Sequence, residues 1–449
     1  MLRKSRISAE ALIKEPENTL FSMLKQIKIE DIKEEALLSI FDYLIPRDLN
    51  KALSLLNEFK IPEAKTAAIA KIVKLVSSKS SKPISSKPDL KYIDMLKECM
   101  KDIQLAEIAI ETLLESSLKQ SYELALELLD TDIMKQDKIR HALLRAKCLI
   151  KLGKNTEAKE SLDFLSSEIR MKKSNLCKYA EQIYEVAKGY ISLGLIGDAT
   201  ILVEFASRKI AKDIANSKNK NSENVLEMVN DICELAILSK KRRFVDLALE
   251  LKDEIEKGDS DLFTLCEIES TVAETFARLG EKDDAVTYFK NSISRLGDSI
   301  QIEHELEIKS CADAIFSHAL RSAESKDDKL LEDIFGNEEF DWTVANSFTV
   351  IESMLVLAKR CKDYELIQKA IELSKRHSWK KRVCAMLMIS ELFADFGDEK
   401  LFCNSFNDAL SNIPFQIFKK EEIDLAWKES IGSAVNSLNA FEEHKKKCN

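Results

Sequence analysis

Apolar residues recur at helical spacing along almost the whole chain. Near the N-terminus, Ile32, Ala36, Ile40 and Leu44 are four residues apart, which places them on one face of an α-helix. Pro46 follows this run and cannot continue a helix. The hydrophobic pattern therefore predicts a chain built almost wholly of amphipathic helices.

Three segments share one pattern around a Leu-Gly pair. They are AKCLIKLGKNTEA (146–158), AKGYISLGLIGDA (187–199) and AETFARLGEKDDA (273–285). Each begins with an alanine seven residues before the glycine and ends with an alanine five residues after it. A small alanine lets a second helix approach closely, and the glycine ends the first helix in a left-handed conformation. The pattern predicts an antiparallel helical hairpin, and because one hairpin cannot bury both of its faces, the hairpins must stack.

Weaker copies of the pattern occupy much of the remaining chain. Lys240 and Cys361 stand at the glycine position in two of them, and Gly397 stands there in a third. The spacing between turns leaves room for one further unit, whose turn is expected at 320–326. We therefore predict an all-α fold, a superhelical array of antiparallel helix hairpins.

The N-terminal part of the chain carries the same kind of repeat. Residues 52–75 align with residues 370–392 after a slip of one residue. We expect an N-terminal helical repeat segment over residues 1–76. A flexible linker rich in Ser, Lys and Pro is expected over residues 77–90, and the hairpin array over residues 91–449.

The three glycine-containing units resemble tetratricopeptide repeats. Residues 267–300 carry the resemblance best, through Ala273, Phe276, Gly280 and Ala285. The resemblance implies a solenoid with a concave groove that binds peptide segments or partner helices. It implies no particular partner.

Composition and charge narrow this picture. Only 10 Gly and 6 Pro occur in 449 residues, while residues that favour helices dominate. The net charge of −9 comes without a long acidic or basic tail, so charge argues mainly for solubility. The ten Cys are placed singly, which favours reduced thiols and a cytoplasmic location. No apolar run is long enough for a signal peptide or a transmembrane helix, so no membrane insertion is expected.

Catalytic chemistry is not expected. The segment KLGKNTEAK (151–159) resembles the start of a phosphate-binding loop, but Cys148 stands where that loop needs its first glycine and Asn155 where it needs Ser or Thr. The segment HELEI begins like a zinc-binding helix at His304, yet Ile308 stands where the second histidine must be. We expect no enzyme activity, no cofactor and no metal.

The candidate sites are therefore surfaces that bind a partner. On the first helices of the hairpins, the residues expected to be exposed toward a partner are Lys147, Lys188, Glu274 and Arg278. A basic turn around one tryptophan, with the sequence KRHSWKKR, is the second candidate surface. Its residues of interest are Lys375, Arg376, Trp379, Lys380, Lys381 and Arg382.

The leading hypothesis is a non-catalytic helical-repeat protein that binds a protein or peptide partner as a scaffold or adaptor. Two alternatives stay open. The first is nucleic-acid or phosphate binding through the basic turns, which is not favoured because a solvated turn explains the same residues. The second, less favoured still, is an all-helical enzyme with a concave cavity. The sequence does not determine the oligomeric state.

Overall fold

A computed structural model defines the fold. It describes residues 7–79, 87–116, 118–172, 176–216, 222–257, 262–298, 305–324, 329–335, 348–414 and 419–448. Throughout these residues the secondary structure is helical, with turns between helices and no strand. None of the described helices is both long enough and apolar enough to cross a lipid bilayer.

The chain forms two compact units. Unit 1 combines residues 1–137 with residues 362–449, and unit 2 comprises residues 138–361. The helices of unit 1 are α1 (Ala9–Lys14), α2 (Pro16–Leu24), α3 (Glu30–Leu44), α4 (Leu49–Leu55), α5 (Pro62–Lys79), α6 (Lys87–Cys99), α7 (Ile103–Leu114), α8 (Lys119–Leu129), α20 (Tyr364–Ser374), α21 (Trp379–Asp395), α22 (Glu399–Asn412) and α23 (Lys420–Cys448). Those of unit 2 are α9 (Lys138–Lys151), α10 (Asn155–Met171), α11 (Ala180–Ser192), α12 (Ile196–Asn216), α13 (Ser222–Ser239), α14 (Arg242–Glu256), α15 (Leu262–Leu279), α16 (Lys282–Asp298), α17 (Glu305–Ser322), α18 (Lys329–Phe335) and α19 (Phe348–Cys361).

Unit 2 is a tandem array of helical hairpins. The two helices of a hairpin pack together, as α9 does with α10 and α15 with α16. The first helices of successive hairpins also pack side by side, in the order α9, α11, α13, α15, α17 and α19. The small residues of the sequence pattern lie inside these contacts, since Ala146, Ala187 and Ala273 are almost fully buried. The prediction of an all-α array of hairpins is confirmed.

The predicted glycines end their helices in the left-handed region. The φ angle is 72° at Gly153, 75° at Gly194, 86° at Gly280 and 76° at Gly397. After α15, the amide of Glu281 donates to the carbonyl of Phe276 at 2.9 Å, and the amide of Gly280 donates to the carbonyl of Ala277 at 3.0 Å. These two bonds satisfy carbonyl groups that the helix end leaves open.

Two turns lack glycine and still adopt the same backbone. Lys240 has a φ of 54° and is the left-handed residue of its turn, as its alignment with the glycines predicts. In the other turn the left-handed residue is Lys362, with a φ of 54°, and not Cys361 as predicted. The prediction is wrong by one residue because α19 continues through Cys361. For the predicted turn at 320–326, α17 ends at Ser322, and residues 325–328 lie outside the described part of the chain.

The units do not coincide with the domains expected from the sequence. The expected linker at 77–90 is helical at both of its edges, because α5 continues to Lys79 and α6 begins at Lys87. Residues 80–86 lie outside the described residues. Moreover, the C-terminal helix α23 packs on α3 and α2, and α22 packs on α1. The N-terminal segment therefore shares one compact unit with residues 362–449.

Candidate functional site

The first helices of unit 2 carry a row of acidic side chains. On α13, Glu227, Asp231 and Glu234 are spaced by four and three residues, which places them on one side of the helix. The packed neighbour α11 contributes Glu181 and Glu185. We call these five residues the acidic face. Glu181 matches Glu227, and Glu185 matches Asp231, in distance before the left-handed turn residue, because the hairpin repeat sets both helices in the same register.

The carboxylates of the acidic face influence the pKa values of one another. Burial and the neighbouring charges of Glu227, Glu234 and Glu181 raise the pKa of Asp231 to about 7. Burial and a hydrogen bond to Glu234 likewise raise the pKa of Tyr184, which lies on α11. The acidic side chains of α11 and α13 thus act on one another electrostatically, and they favour the protonated form of Asp231.

Most of the acidic face has no counterion among the described residues. Within that part of the chain, no Lys or Arg nitrogen lies within 4.0 Å of the carboxylates of Glu227, Asp231 or Glu234, and the same is true of Glu181. Glu185 is paired with Lys147 at 2.7 Å. Surface carboxylates in a folded protein usually stand among mixed charges, so a row of four without a described cation is a distinctive feature.

The structure brings two of the predicted contact residues to this face. Lys147 on α9 forms its ion pair with Glu185 on α11, and its side chain is about a third exposed. Lys188 donates to the hydroxyl of Tyr184 at 3.1 Å and lies 5.0 Å from the centre of that ring. Both lysines are half-buried and border the acidic face on one side.

The other two predicted contact residues, Glu274 and Arg278, lie on α15. Arg278 is exposed and its nitrogen is 3.7 Å from the carboxylate of Glu274. Glu274 is not exposed as expected, since only 12% of its side chain is accessible. The reason is that its carboxylate is held by two groups of α17, at 2.8 Å by Nδ1 of His318 and at 3.0 Å by Nε of Arg321.

His318 is the centre of this cluster. It is 6% exposed and lies between two carboxylates of α15, with Nε2 3.2 Å from Glu267 and Nδ1 2.8 Å from Glu274. Burial disfavours the charged imidazole, but the hydrogen bonds to both carboxylates outweigh it and raise the pKa of His318. The pKa values of Glu267 and Glu274 are lowered, because the bonds to His318 outweigh their burial. The arrangement is an ion-pair network between α15 and α17.

The basic turn lies at the start of α21, and its cations face acidic side chains of unit 1. Lys375 lies 2.6 Å from Glu372, Lys380 lies 2.7 Å from Glu422, and Arg382 lies 3.1 Å from Asp408. Arg376 and Lys381 are exposed, whereas Trp379 is half-buried at the first position of the helix. Three of the five cations are thus in ion pairs, which reduces the positive potential that a phosphate or nucleic acid would meet.

Two cavities in unit 1 bear on the enzyme alternative. One of about 530 Å³ is lined by charged groups that already pair with each other, Lys71 with Asp42 and Lys74 with Glu115. The other, of about 410 Å³, is lined mainly by apolar side chains, and its polar groups are those of Tyr364, Gln368, Asn404 and Ser405. Among the described residues no three His, Cys, Asp or Glu side chains are arranged to share a metal ion.

Comparison with known proteins assigns this chain to no family. No family model matches the chain, and no curated protein matches it. One solved structure, described as a circular tandem repeat protein with novel repeat topology and enhanced subunit contact surfaces, aligns over 98% of this chain and 96% of its own. The identity is 14% and the TM-score is 0.32.

Proposed function

We propose that this protein is a non-catalytic helical-repeat scaffold whose acidic face binds a basic segment of a partner protein. The observation that carries the proposal is the row Glu227, Asp231 and Glu234 on α13, which has no described counterion. The exposed Leu238 follows at the next position of the same stripe and offers an apolar contact beside the charges. The resemblance to tetratricopeptide repeats supports partner binding by the first helices of the hairpins. That the hairpins are tetratricopeptide repeats is part of this proposal.

Without a bound partner, the carboxylates of the acidic face repel one another. Like charges that face each other across two packed helices destabilise one another, and Asp231 responds by holding its proton near neutral pH. A Lys or Arg side chain placed among these carboxylates removes that repulsion and forms charge-assisted hydrogen bonds. Binding of a cationic segment therefore gains more at this face than at a surface where the charges are already paired.

The spacing of the carboxylates favours a peptide over a single ion. The five side chains extend over about two turns of α11 and α13, and no three of the described ones converge on one metal position. A segment with several Lys or Arg residues matches such a row, since each cation meets a different carboxylate. The cytoplasmic location expected from the singly placed Cys is part of the same proposal.

A binding experiment tests the proposal. A fluorescent peptide with Lys or Arg at every third or fourth position is titrated with the full-length chain, and its anisotropy gives Kd at several salt concentrations. We expect binding that weakens as salt rises from about 50 to 300 mM, because screened charges contribute less. The triple variant Glu227→Gln, Asp231→Asn and Glu234→Gln is expected to lose at least about tenfold in affinity, equal to about 1.4 kcal/mol.

The matched control neutralises three acids elsewhere in unit 2. Glu160→Gln, Asp246→Asn and Glu254→Gln change the net charge by the same amount but lie on the second helices α10 and α14. This control is expected to keep the affinity of the wild type within about twofold, because screening limits the effect of distant charges. An equal loss in both triple variants would show a net-charge effect without a site. Absence of binding at low salt would remove the proposal.

A further inference from the structure

A buried carboxylate joins the C-terminal segment of unit 1 to the N-terminal segment. Asp424 is the fifth residue of α23 and is 1% exposed. Its Oδ2 atom accepts hydrogen bonds from the amides of Lys28 at 2.8 Å and Ile29 at 2.6 Å. These two amides stand immediately before α3, where a helix start leaves donors without partners. Asp424 therefore caps α3 from a helix that lies nearly 400 residues away in sequence.

The same device recurs between α3 and α5, which are separated along the chain only by the short helix α4 and its turns. Glu34 is the fifth residue of α3 and is 2% exposed. Its carboxylate accepts from the amides of Lys60 and Ile61, both at 2.8 Å, and these stand immediately before α5. The position of the acid in its helix, its burial and the place of the two amides all agree with Asp424. Helix α23 therefore contacts the start of α3 in the way that α3 contacts the start of α5. The helices α23 and α3 are arranged as consecutive repeats, although no direct chain connection joins them.

Further contacts complete this joint, and all of them are non-covalent. Lys428 on α23 forms an ion pair with Glu35 on α3. Arg47, just after α3, lies 2.7 Å from Glu442 and donates to Asn439 at 3.0 Å. On α22, the side chain of Asn407 accepts from the amide of Ala9 at 2.9 Å and also contacts Glu10. Residues 9–47 on one side and the helices α22 and α23 on the other contain the whole set.

We propose that this joint is an exchangeable interface whose partner is a second copy of this chain. The helices α22 and α23 of one copy occupy, on α1 to α3 of the other, the place that they fill within a single chain. Reciprocal exchange keeps every contact of the joint, including the cap by Asp424. Whether the joint closes within a chain or between two chains is then decided by the effective concentration of the attached segment against that of the free copies.

Isotope labelling distinguishes the two forms. Full-length protein with ¹⁴N is mixed with full-length protein containing ¹⁵N at high concentration, and a carbodiimide then links carboxylates to lysines in contact without a spacer. The ion pair of Lys428 and Glu35 reports on the joint, since both side chains are at least a third exposed. We expect linked peptides of mixed isotope to appear over time, in material of twice the 51.0 kDa chain mass. Linked peptides of a single isotope serve as the internal control for the reaction.

Two matched variants assign the exchange to this joint. Asp424→Asn weakens the cap across the joint, and Glu34→Gln weakens the same cap at a covalent junction. We expect Asp424→Asn to accelerate mixing about tenfold or more, because hydrogen bonds to a charged group are lost there. Glu34→Gln is expected to leave the mixing rate close to that of the wild type. Light scattering gives a second readout that needs no cross-link.

Three results would overturn the proposal. The first is linked peptides of only one isotope after long incubation of both the wild type and Asp424→Asn. The second is an equal acceleration by Asp424→Asn and Glu34→Gln, which would place the opening elsewhere. The third is a molar mass of one chain at every concentration for both the wild type and Asp424→Asn.

Discussion

Replacing His318 by Gln gives the most detailed prediction for unit 2. The imidazole joins Glu267 and Glu274 of α15 to α17, at 3.2 and 2.8 Å. Gln keeps much of the volume and one donor group but removes the positive charge. Removal of one partner from a buried ion pair costs about 3–5 kcal/mol. Here Arg321 still holds Glu274, and Glu267 is 22% exposed, so we expect a loss nearer about 2 kcal/mol.

The loss has a defined pH dependence. Because the pKa of His318 is raised on folding, its stabilising effect is complete below the ordinary value of 6.5 and disappears as the pH rises through the folded pKa. The pKa values of the two glutamates are lowered, so their contribution is present above the ordinary value of 4.5 and disappears as the pH falls through the folded pKa. The wild type should therefore exceed the Gln variant most between about pH 4.5 and 6.5.

Native-state hydrogen exchange measures this difference locally. The free energy of opening of α15 and α17 is compared between the wild type and His318→Gln at pH 5.5, 7 and 9, since a chain of two units need not unfold in one step. We expect a difference of about 2 kcal/mol at pH 5.5 that declines toward pH 9. A difference that stays constant or grows toward pH 9 would refute the assignment of His318 as a charged bridge.

Two further predictions concern the turns. Gly280→Ala is expected to destabilise unit 2 by about 1–2 kcal/mol through its φ of 86° alone, and Lys240→Gly to stabilise it by up to about 1 kcal/mol, both measured as the free energy of opening by native-state hydrogen exchange. Changes of the same sign in the two variants would contradict a preference of these left-handed turn positions for glycine. Gly397→Ala is expected to cost more than Gly280→Ala, because its Cβ would lie 2.5 Å from the ring of His444, and equal losses would contradict that contact.

The positions of the hairpin turns and of the close helix contacts follow largely from local sequence. A left-handed turn requires glycine or tolerates a few other residues, and close helix contacts require small side chains, so both leave a periodic trace. That trace locates Gly153, Gly194 and Gly280 and even Lys240. It fails by one residue at Cys361, because α19 continues through that residue and the left-handed residue is Lys362.

The joint between the two segments of unit 1 leaves no such trace. Asp424 and the amides that it caps are separated by more than 390 residues, and a carboxylate near a helix start has many local explanations. The acidic face was equally inconspicuous, because the net charge of −9 is distributed over the whole chain. Aligning the first helices on their turn residues would have revealed it, since Glu181 and Glu227 fall in one register position and Glu185 and Asp231 in another.

Binding of a basic segment by the acidic face is tested most directly by the pKa of Asp231 with and without a basic peptide. Aspartate carboxyl carbons labelled with ¹³C are followed by NMR as the pH is varied, and Asp231→Asn assigns the signal. We expect the pKa of Asp231 to be about 7 in the free protein. When the peptide with regularly spaced Lys or Arg is bound, we expect this pKa to fall clearly toward the ordinary value of 3.8, because the added cations favour the charged carboxylate. A pKa that is already near 3.8 in the free protein, or one that the peptide leaves unchanged, would contradict the acidic face as the binding site.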